Sequence, residues 1–219
     1  MAALPIEPMI HERAQRIAVF RALQLGDLLC AVPVLRALRH AWPRAHVTLV
    51  ELPSSEAFAR RFDRYVDDWL GFPGAVIADI AFQVFAQARA RRFDLALQLH
   101  GSGERTNGIV RMMGAKRSCG FAPAHGLGAA GDDFLRWPEE ESEIERLLRV
   151  VDHLGIARRG RELEFPLREN ERRAWRRIAQ RHSLDPQRLV LVHPGARFPS
   201  RRWPVERFAE LADRLALRG

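Results

Sequence analysis

Lysine is nearly missing from this sequence: Lys116 is the only one among 35 basic residues. Cysteine is almost as scarce. Cys30 and Cys119 stand far apart in no metal-like spacing, so neither a disulfide framework nor a zinc site is expected, and reduced thiols of a cytoplasmic protein are the simpler reading. Long apolar runs are missing too, none approaching the roughly 18 residues that a membrane span needs. Met1 to Arg16 is interrupted by Pro5, Glu7, Pro8 and Glu12 and lacks the continuous apolar stretch of a signal peptide. Residues 1–15 therefore read as a loose leader. The absence of a GxGxxG run argues against a dinucleotide-binding site. No zinc-finger, RNP-like or basic-zipper pattern is visible, and nucleic acid is not an expected partner. No internal repeat or low-complexity tract is visible.

What is present describes a globular chain. Its 219 residues, 47% hydrophobic and 28% charged, suffice for a real core in one large domain or two small ones. The net charge of +8 is unevenly placed. Residues 1–155 hold 19 basic and 19 acidic side chains, whereas residues 156–219 hold 16 arginines against 8 acids. Arginine suits bidentate binding of phosphate or carboxylate groups. A genome rich in G and C would explain the preference for arginine over lysine, but not its local excess. Within residues 171–181 the arginines run along a helical pattern with Trp175, for which a solvated face is the favoured reading.

Hydrophobic periodicity gives alternating strands and helices. Arg16–Phe20 reads as a buried strand, residues 27–41 as a helix, and His46–Val50 as a second strand. Helical patterns follow at 54–62 and 78–91, then a strand over Phe93–Leu99 and a helical segment ending near Met113. Residues 121–138, rich in Gly, Ala and Pro, look like a loop. Glu139–Leu154 reads as a helix whose acidic first turn suits the positive end of its dipole. Beyond a connector at 155–168 come a basic helix near Glu169–His182, a strand over Arg188–Val192, and a last helix with Pro204 at its first position. That helix carries an apolar face of Val205, Phe208, Leu211, Ala212 and Leu215. Alternation of this kind predicts an α/β fold with a parallel sheet. Pro33, inside the 27–41 helix, is awkward because an interior proline costs about 3 kcal/mol; a kink or an irregular first turn is expected there.

Three loops carry residue types suited to chemistry. Arg21-Ala-Leu-Gln-Leu-Gly26-Asp27 follows the first strand, where open parallel sheets bind ligands. Gly26 permits a tight turn, and Asp27 is either a helix N-cap or a working carboxylate. His100-Gly-Ser102-Gly103-Glu-Arg-Thr106-Asn107 follows another strand; its glycines and polar side chains suit a sugar or phosphate, or else simply start a helix. In His193-Pro-Gly195-Ala196-Arg-Phe-Pro-Ser-Arg201-Arg202-Trp203-Pro204, backbone amides and arginines before a helix make an anion cradle, or a solvated loop. Trp203 reads as a packing residue.

Together these motifs resemble glycosyltransferase family 9, the ADP-heptose:lipopolysaccharide heptosyltransferases and their relatives. The likeness lies in the run from Arg21 to Arg39, in F-D-L-A-L-Q-L-H-G-S-G from Phe93, and in H-P-G-A…R-R-W-P from His193, in matching order, with Pro33 itself part of the pattern. The resemblance implies a GT-B-like architecture of two Rossmann-like domains facing across a cleft. Residues 16–165 would form the acceptor-side domain with its parallel sheet, and 166–219 a connector helix and the first strand-helix unit of an incomplete donor-binding domain. It implies an inverting transfer of heptose or a related sugar from a nucleotide-sugar, ADP-heptose being the expected donor, to a lipopolysaccharide-core or similar glycan. Asp27 would be the general base, with Gly26, Ser102, Gly103, Thr106 and Asn107 on the acceptor side. Gly195, Ala196 and Arg201 would bind the donor, with no metal and no cofactor. A cytoplasmic protein, peripheral to the inner membrane, is expected. The family's Asp-(Ser/Thr)-Gly-x-x-His element is missing, so the alternative is a truncated, non-catalytic relative acting as a binding module or inactive fragment.

Overall fold

The structure is a computed structural model that describes residues 14–74, 78–123, 133–196 and 198–217, with 78–81 described by backbone only. Apart from Ala14 and Gln15, the expected leader lies outside the described residues. The chain divides into two compact units, Met1–Pro166 and Leu167–Gly219.

The first unit is built on six parallel strands: β1 (Arg16–Phe20), β2 (His46–Glu51), β3 (Asp68–Gly71), β4 (Leu95–Gln98), β5 (Arg117–Ala122) and β6 (Asp133–Arg136). Their spatial order is β3-β2-β1-β4-β5-β6. β1 is thus central, its Phe20 in register with Val50 of β2 and with Gln98 of β4. The inner strands are apolar on both faces because helices cover both sides. On one face Ile17, Val19, Leu49, Leu95 and Leu97 pack with Val34 and Leu38 of a helix over Val32–Ala41, Phe58 and Phe62, and Leu147 and Val151 of a helix over Glu143–His153. On the other, Ala18, Phe20, Val50 and Ala96 pack with Val84, Phe85 and Ala88 of a helix over Ala78–Ala90, and with Val110 and Met113.

The helix expected over 27–41 is two helices, α1 (Leu25–Cys30) and α2 (Val32–Ala41). The break at Ala31 puts Pro33 in the first turn of α2, where its missing N–H costs no hydrogen bond. The remaining helices of this unit are α3 (Glu56–Arg61), α4 (Ala78–Ala90), α5 (Asn107–Met112) and α6 (Glu143–His153). α6 begins four residues later than expected, at Glu143, after the N-cap Ser142 whose Oγ accepts from the Glu145 amide. The loop expected over 121–138 is corrected at both ends, since β5 reaches Ala122 and β6 occupies Asp133–Arg136. β6 is four residues of edge strand held by pairing to β5 and by the Arg117–Asp133 ion pair. So short an element leaves no periodicity to read.

The second unit contains α7 (Glu169–Arg181) and α8 (Val205–Ala216). Pro204 is the residue before α8 rather than its first. The strand expected over Arg188–Val192 is not formed among the described residues. Val190, Leu191 and Val192 are exposed there. A strand is completed by hydrogen bonds to a neighbour, and no ladder partner stands beside this apolar run among the described residues. Among the described residues, no helix is long and apolar enough to cross a membrane.

Candidate active site

The strand order reverses at β1: the chain fills the sheet outward from β1 to β3, then returns through α4 to place β4 on the other side of β1. The loops leaving β1 and β4 therefore diverge at the carboxyl edge, the position where open α/β sheets bind ligands. These are the Arg21 and His100 loops singled out in the sequence.

Arg21 joins them. It is fully buried. Its Nε donates to the Asp27 carbonyl at 2.6 Å, its Nη1 to the Leu99 carbonyl, and its Nη2 to Glu143 Oε1 at 2.9 Å. One guanidinium thus ties the start of α1, the end of β4 and the first turn of α6. The planar fork of arginine suits three divergent acceptors, whereas an ammonium would not span them.

Asp27 lies in the first turn of α1 but is not its N-cap, which corrects that reading. Gln24 is the cap, and Asp27, three residues on, accepts from the Gln24 amide at 3.3 Å to close a capping box. Gly26 is likewise not in a turn. It is helical, and a Cβ on it would meet nothing within 4 Å, so the surface above it is open. Asp27 itself is half-buried.

The His100 loop is an ordered turn. Gly101 and Gly103 have φ of +64° and +83°, and a Cβ on Gly103 would lie 2.1 Å from the Phe121 carbonyl, so glycine is required there. Gln98 Nε2 donates to the His100 carbonyl at 2.6 Å and to Thr106 Oγ1 at 2.7 Å, while its Oε1 accepts from the Phe121 amide. Asn107 Nδ2 donates to the Phe121 carbonyl at 2.9 Å. Thr106 and Asn107 are buried and occupied in holding the turn; Ser102 is half-buried. Of the residues expected on the acceptor side, Gly26 and the Ser102–Gly103 turn thus flank the same strand junction as Asp27, and Thr106 and Asn107 brace it.

His100 opens this turn, and its residue type alone assigns it no role. Its ring stacks on Phe20 with centroids 5.6 Å apart and planes 21° from parallel. Nδ1 is buried without a hydrogen-bond partner. Burial first, and the Arg21 charge second, hold the imidazole below its ordinary pKa, against the opposing pull of Asp27. A second buried group sits at the end of β2. Glu51 is fully buried, neither carboxyl oxygen has a partner in hydrogen-bond geometry, and burial pushes its pKa up to about 8, only partly opposed by the nearby Ala59 amide and Trp69 indole. No sequence signal marks Glu51 as buried, because a strand's last residue is usually solvated.

Gly195, Ala196 and Arg201 lie in the second unit. Gly195 is exposed and Ala196 half-buried. The Ala196 carbonyl accepts from Arg202 Nε at 2.8 Å, and Arg201 lies over the Phe198 ring at 5.6 Å. Trp203 packs edge-on against Phe208 at 5.0 Å, the packing role expected of it. Among the described residues, no group of three or more His, Cys, Asp or Glu side chains is gathered to hold a metal.

A family model described as glycosyltransferase family 9 (heptosyltransferase) matches residues 81–219. The chain belongs to this family. The matched span takes in the His100 loop and the His193 motif and begins after Asp27. Solved structures share the fold. A glycosyl transferase family 9 protein from Veillonella parvula superposes with a TM-score of 0.71 at 22% identity, covering 91% of this chain and 59% of its own. E. coli heptosyltransferase WaaC with ADP gives 0.64 at 16% identity, covering 93% and 64%. E. coli ADP-heptose lps heptosyltransferase II gives 0.64 at 20% identity, covering 93% and 62%. This family 9 chain is therefore α/β and GT-B-like, and it spans about three-fifths of the length of these structures. Among curated proteins none matches the sequence.

Proposed function

We propose that this chain works in an inverting glycosyltransferase that moves heptose or a related sugar from a nucleotide-sugar to a lipopolysaccharide-core or similar glycan. The observation that carries the reading is the placement of Asp27 at the β1–β4 junction in a chain of family 9. Asp27 takes the proton of an acceptor hydroxyl as that oxygen attacks the anomeric carbon of the donor. The bond from that carbon to the diphosphate oxygen breaks on the opposite side, so the centre inverts and the nucleoside diphosphate leaves with the electron pair. A half-buried carboxylate held by a capping box is a rigid base. The Gly195–Ala196 backbone approaches the donor phosphates, and Arg201 offsets the charge that grows on the leaving group. ADP-heptose is the donor favoured by this reading, as substrate, with neither metal nor cofactor taking part. The protein would work at the cytoplasmic face of the inner membrane, with no role for nucleic acid.

A second reading, glycan binding without transfer, is favoured by one observation: among the described residues Arg188–Val192 forms no strand and those of the His193 motif after it are largely exposed. One experiment separates the two. The chain is incubated with ADP-heptose and a lipopolysaccharide core lacking heptose, and transfer is followed by mass. Asp27→Ala is expected to lower kcat by roughly 10²–10⁴ while leaving acceptor binding in place. Full activity in that variant would remove Asp27 as base, and acceptor binding without transfer in the parent chain would favour the second reading. Melting with and without ADP-heptose tests the donor side directly, since a ligand that binds the folded state raises Tm.

A further inference from the structure

His100 is held more firmly than a loop residue needs to be. Its own carbonyl accepts from Gln98 Nε2 at 2.6 Å and from Thr106 Oγ1 at 3.1 Å. The preceding residue is fixed on both sides: the Leu99 amide donates to the Phe20 carbonyl at 3.0 Å, and the Leu99 carbonyl accepts from Arg21. The Phe20 ring sets the plane of the imidazole. All this order presents a side chain whose Nδ1 is buried with nothing to bond to. A buried polar atom left unmet is destabilising and calls for an explanation.

The charges around the ring decide its chemistry. Arg21 and Asp27 both act on it, and the Arg21 charge is matched by Glu143. Burial and Arg21 disfavour the imidazolium, so the ring is neutral near pH 7. A buried Nδ1 with no acceptor facing it is better as a lone pair than as an N–H, which leaves the ring proton on Nε2. The Asp27 and Leu99 carbonyls share the Arg21 guanidinium, which brings the His100 turn to the turn that carries Asp27, and a neutral N–H donor there suits a hydroxyl-rich ligand. It does not suit a phosphate, which calls for cations.

We propose that His100 is an acceptor-contact residue of the Asp27 site, its Nε2–H donating to a hydroxyl oxygen of the glycan next to the hydroxyl that Asp27 deprotonates. The inference rests on the glycan-acceptor reading of this site, and it assigns the contact to a residue outside the motif positions taken for acceptor binding. Recognition here is of a sugar hydroxyl, and protonation of His100 is not needed for it.

The test uses the full chain. ¹⁵N-detected NMR at pH 7 is expected to show His100 as the Nε2-protonated tautomer; an imidazolium or the Nδ1-protonated form would overturn the proposal. In the transfer assay, His100→Phe keeps the ring stacked on Phe20 but removes the donor, and is expected to raise the acceptor KM about tenfold with kcat and donor KM little moved. His100→Gln, whose amide reaches the Nε2 position, is expected to restore most of that loss. An unchanged acceptor KM in His100→Phe would overturn the proposal, as would failure of His100→Gln to restore it. Asp27→Asn in the same assay separates the two ideas, since loss of the base lowers kcat and leaves the His100 effect on KM to be read by itself. If the chain makes no transfer, the His100 resonances are followed on titration with lipopolysaccharide core lacking heptose: a specific shift supports the contact, and no shift overturns it.

Discussion

The two units of this chain differ in what makes their elements stand. In Met1–Pro166 each inner strand is buried on both faces, and the helices are held by the cores they cover. In Leu167–Gly219 no described residue is buried, yet α7 and α8 form. Helices satisfy their own backbone, and in α7 Glu171 Oε2 accepts from the Arg168 amide at 2.8 Å while Glu169 pairs with Arg176 at 2.5 Å. Arg188–Val192 has no such recourse, because a strand's hydrogen bonds belong half to its neighbour. The contrast teaches that local signals suffice for helices but strands need a completed sheet.

The largest expected effect tests burial. Phe62 is fully buried and lies 4.4 Å from the Phe58 ring, so Phe62→Ala should cost about 3–5 kcal/mol in urea unfolding. Leu211→Ala, on the exposed face of α8, should cost less than about 0.5 kcal/mol. Equal losses would break the contrast and show that α8 is packed in solution.

Glu51 sharpens it next, as a group only a thick core can trap. Its carboxyl titrates near 8 in the folded chain and near 4.3 when unfolded, as about expected of free glutamate. Between those values the folded state binds the extra proton, so its contribution to stability is intact below about pH 4, falls as pH rises toward 8, and is flat above. Glu51→Gln should therefore be more stable than the parent at pH 8–9, on the order of a few kcal/mol, and gain little near pH 4. Denaturation at both pH values checks it, and a gain independent of pH would refute the buried titration.

The smallest effect concerns caps. Ser142→Ala removes the side-chain bond to the Glu145 amide at the start of α6 and should cost about 1 kcal/mol. Glu169→Gln in α7 removes an exposed ion pair with Arg176 and should change stability by less than about 0.5 kcal/mol. Helicity by circular dichroism, followed with temperature, distinguishes them.

Much of this was legible in order of residues. Ile17–Phe20 and Leu95–Leu97 are unbroken apolar runs, and their burial on two faces makes such runs strands of a parallel sheet. The family was legible because the Arg21, Phe93 and His193 motifs keep their types and spacing. β3, β5 and β6 were not legible, since Asp68–Gly71 and Asp133–Arg136 are four residues each and β5 contains Gly120 and Ser118. Nor was the work of Arg21: nothing in sequence separates it from the many other arginines, and its partners lie 6, 78 and 122 residues away.

By itself, then, the sequence determined the alternation of strands and helices, the break before Pro33, and the motifs that tie the chain to family 9, because periodicity, proline stereochemistry and residue spacing are local properties. Tertiary structure alone decided that the first two motifs meet at one strand junction, that Asp27 closes a cap while His100 is left with an unmet nitrogen, and that residues 188–192 join no strand ladder among the described residues. Those outcomes depend on strand order and on which groups are buried together, and neither is written in any one segment.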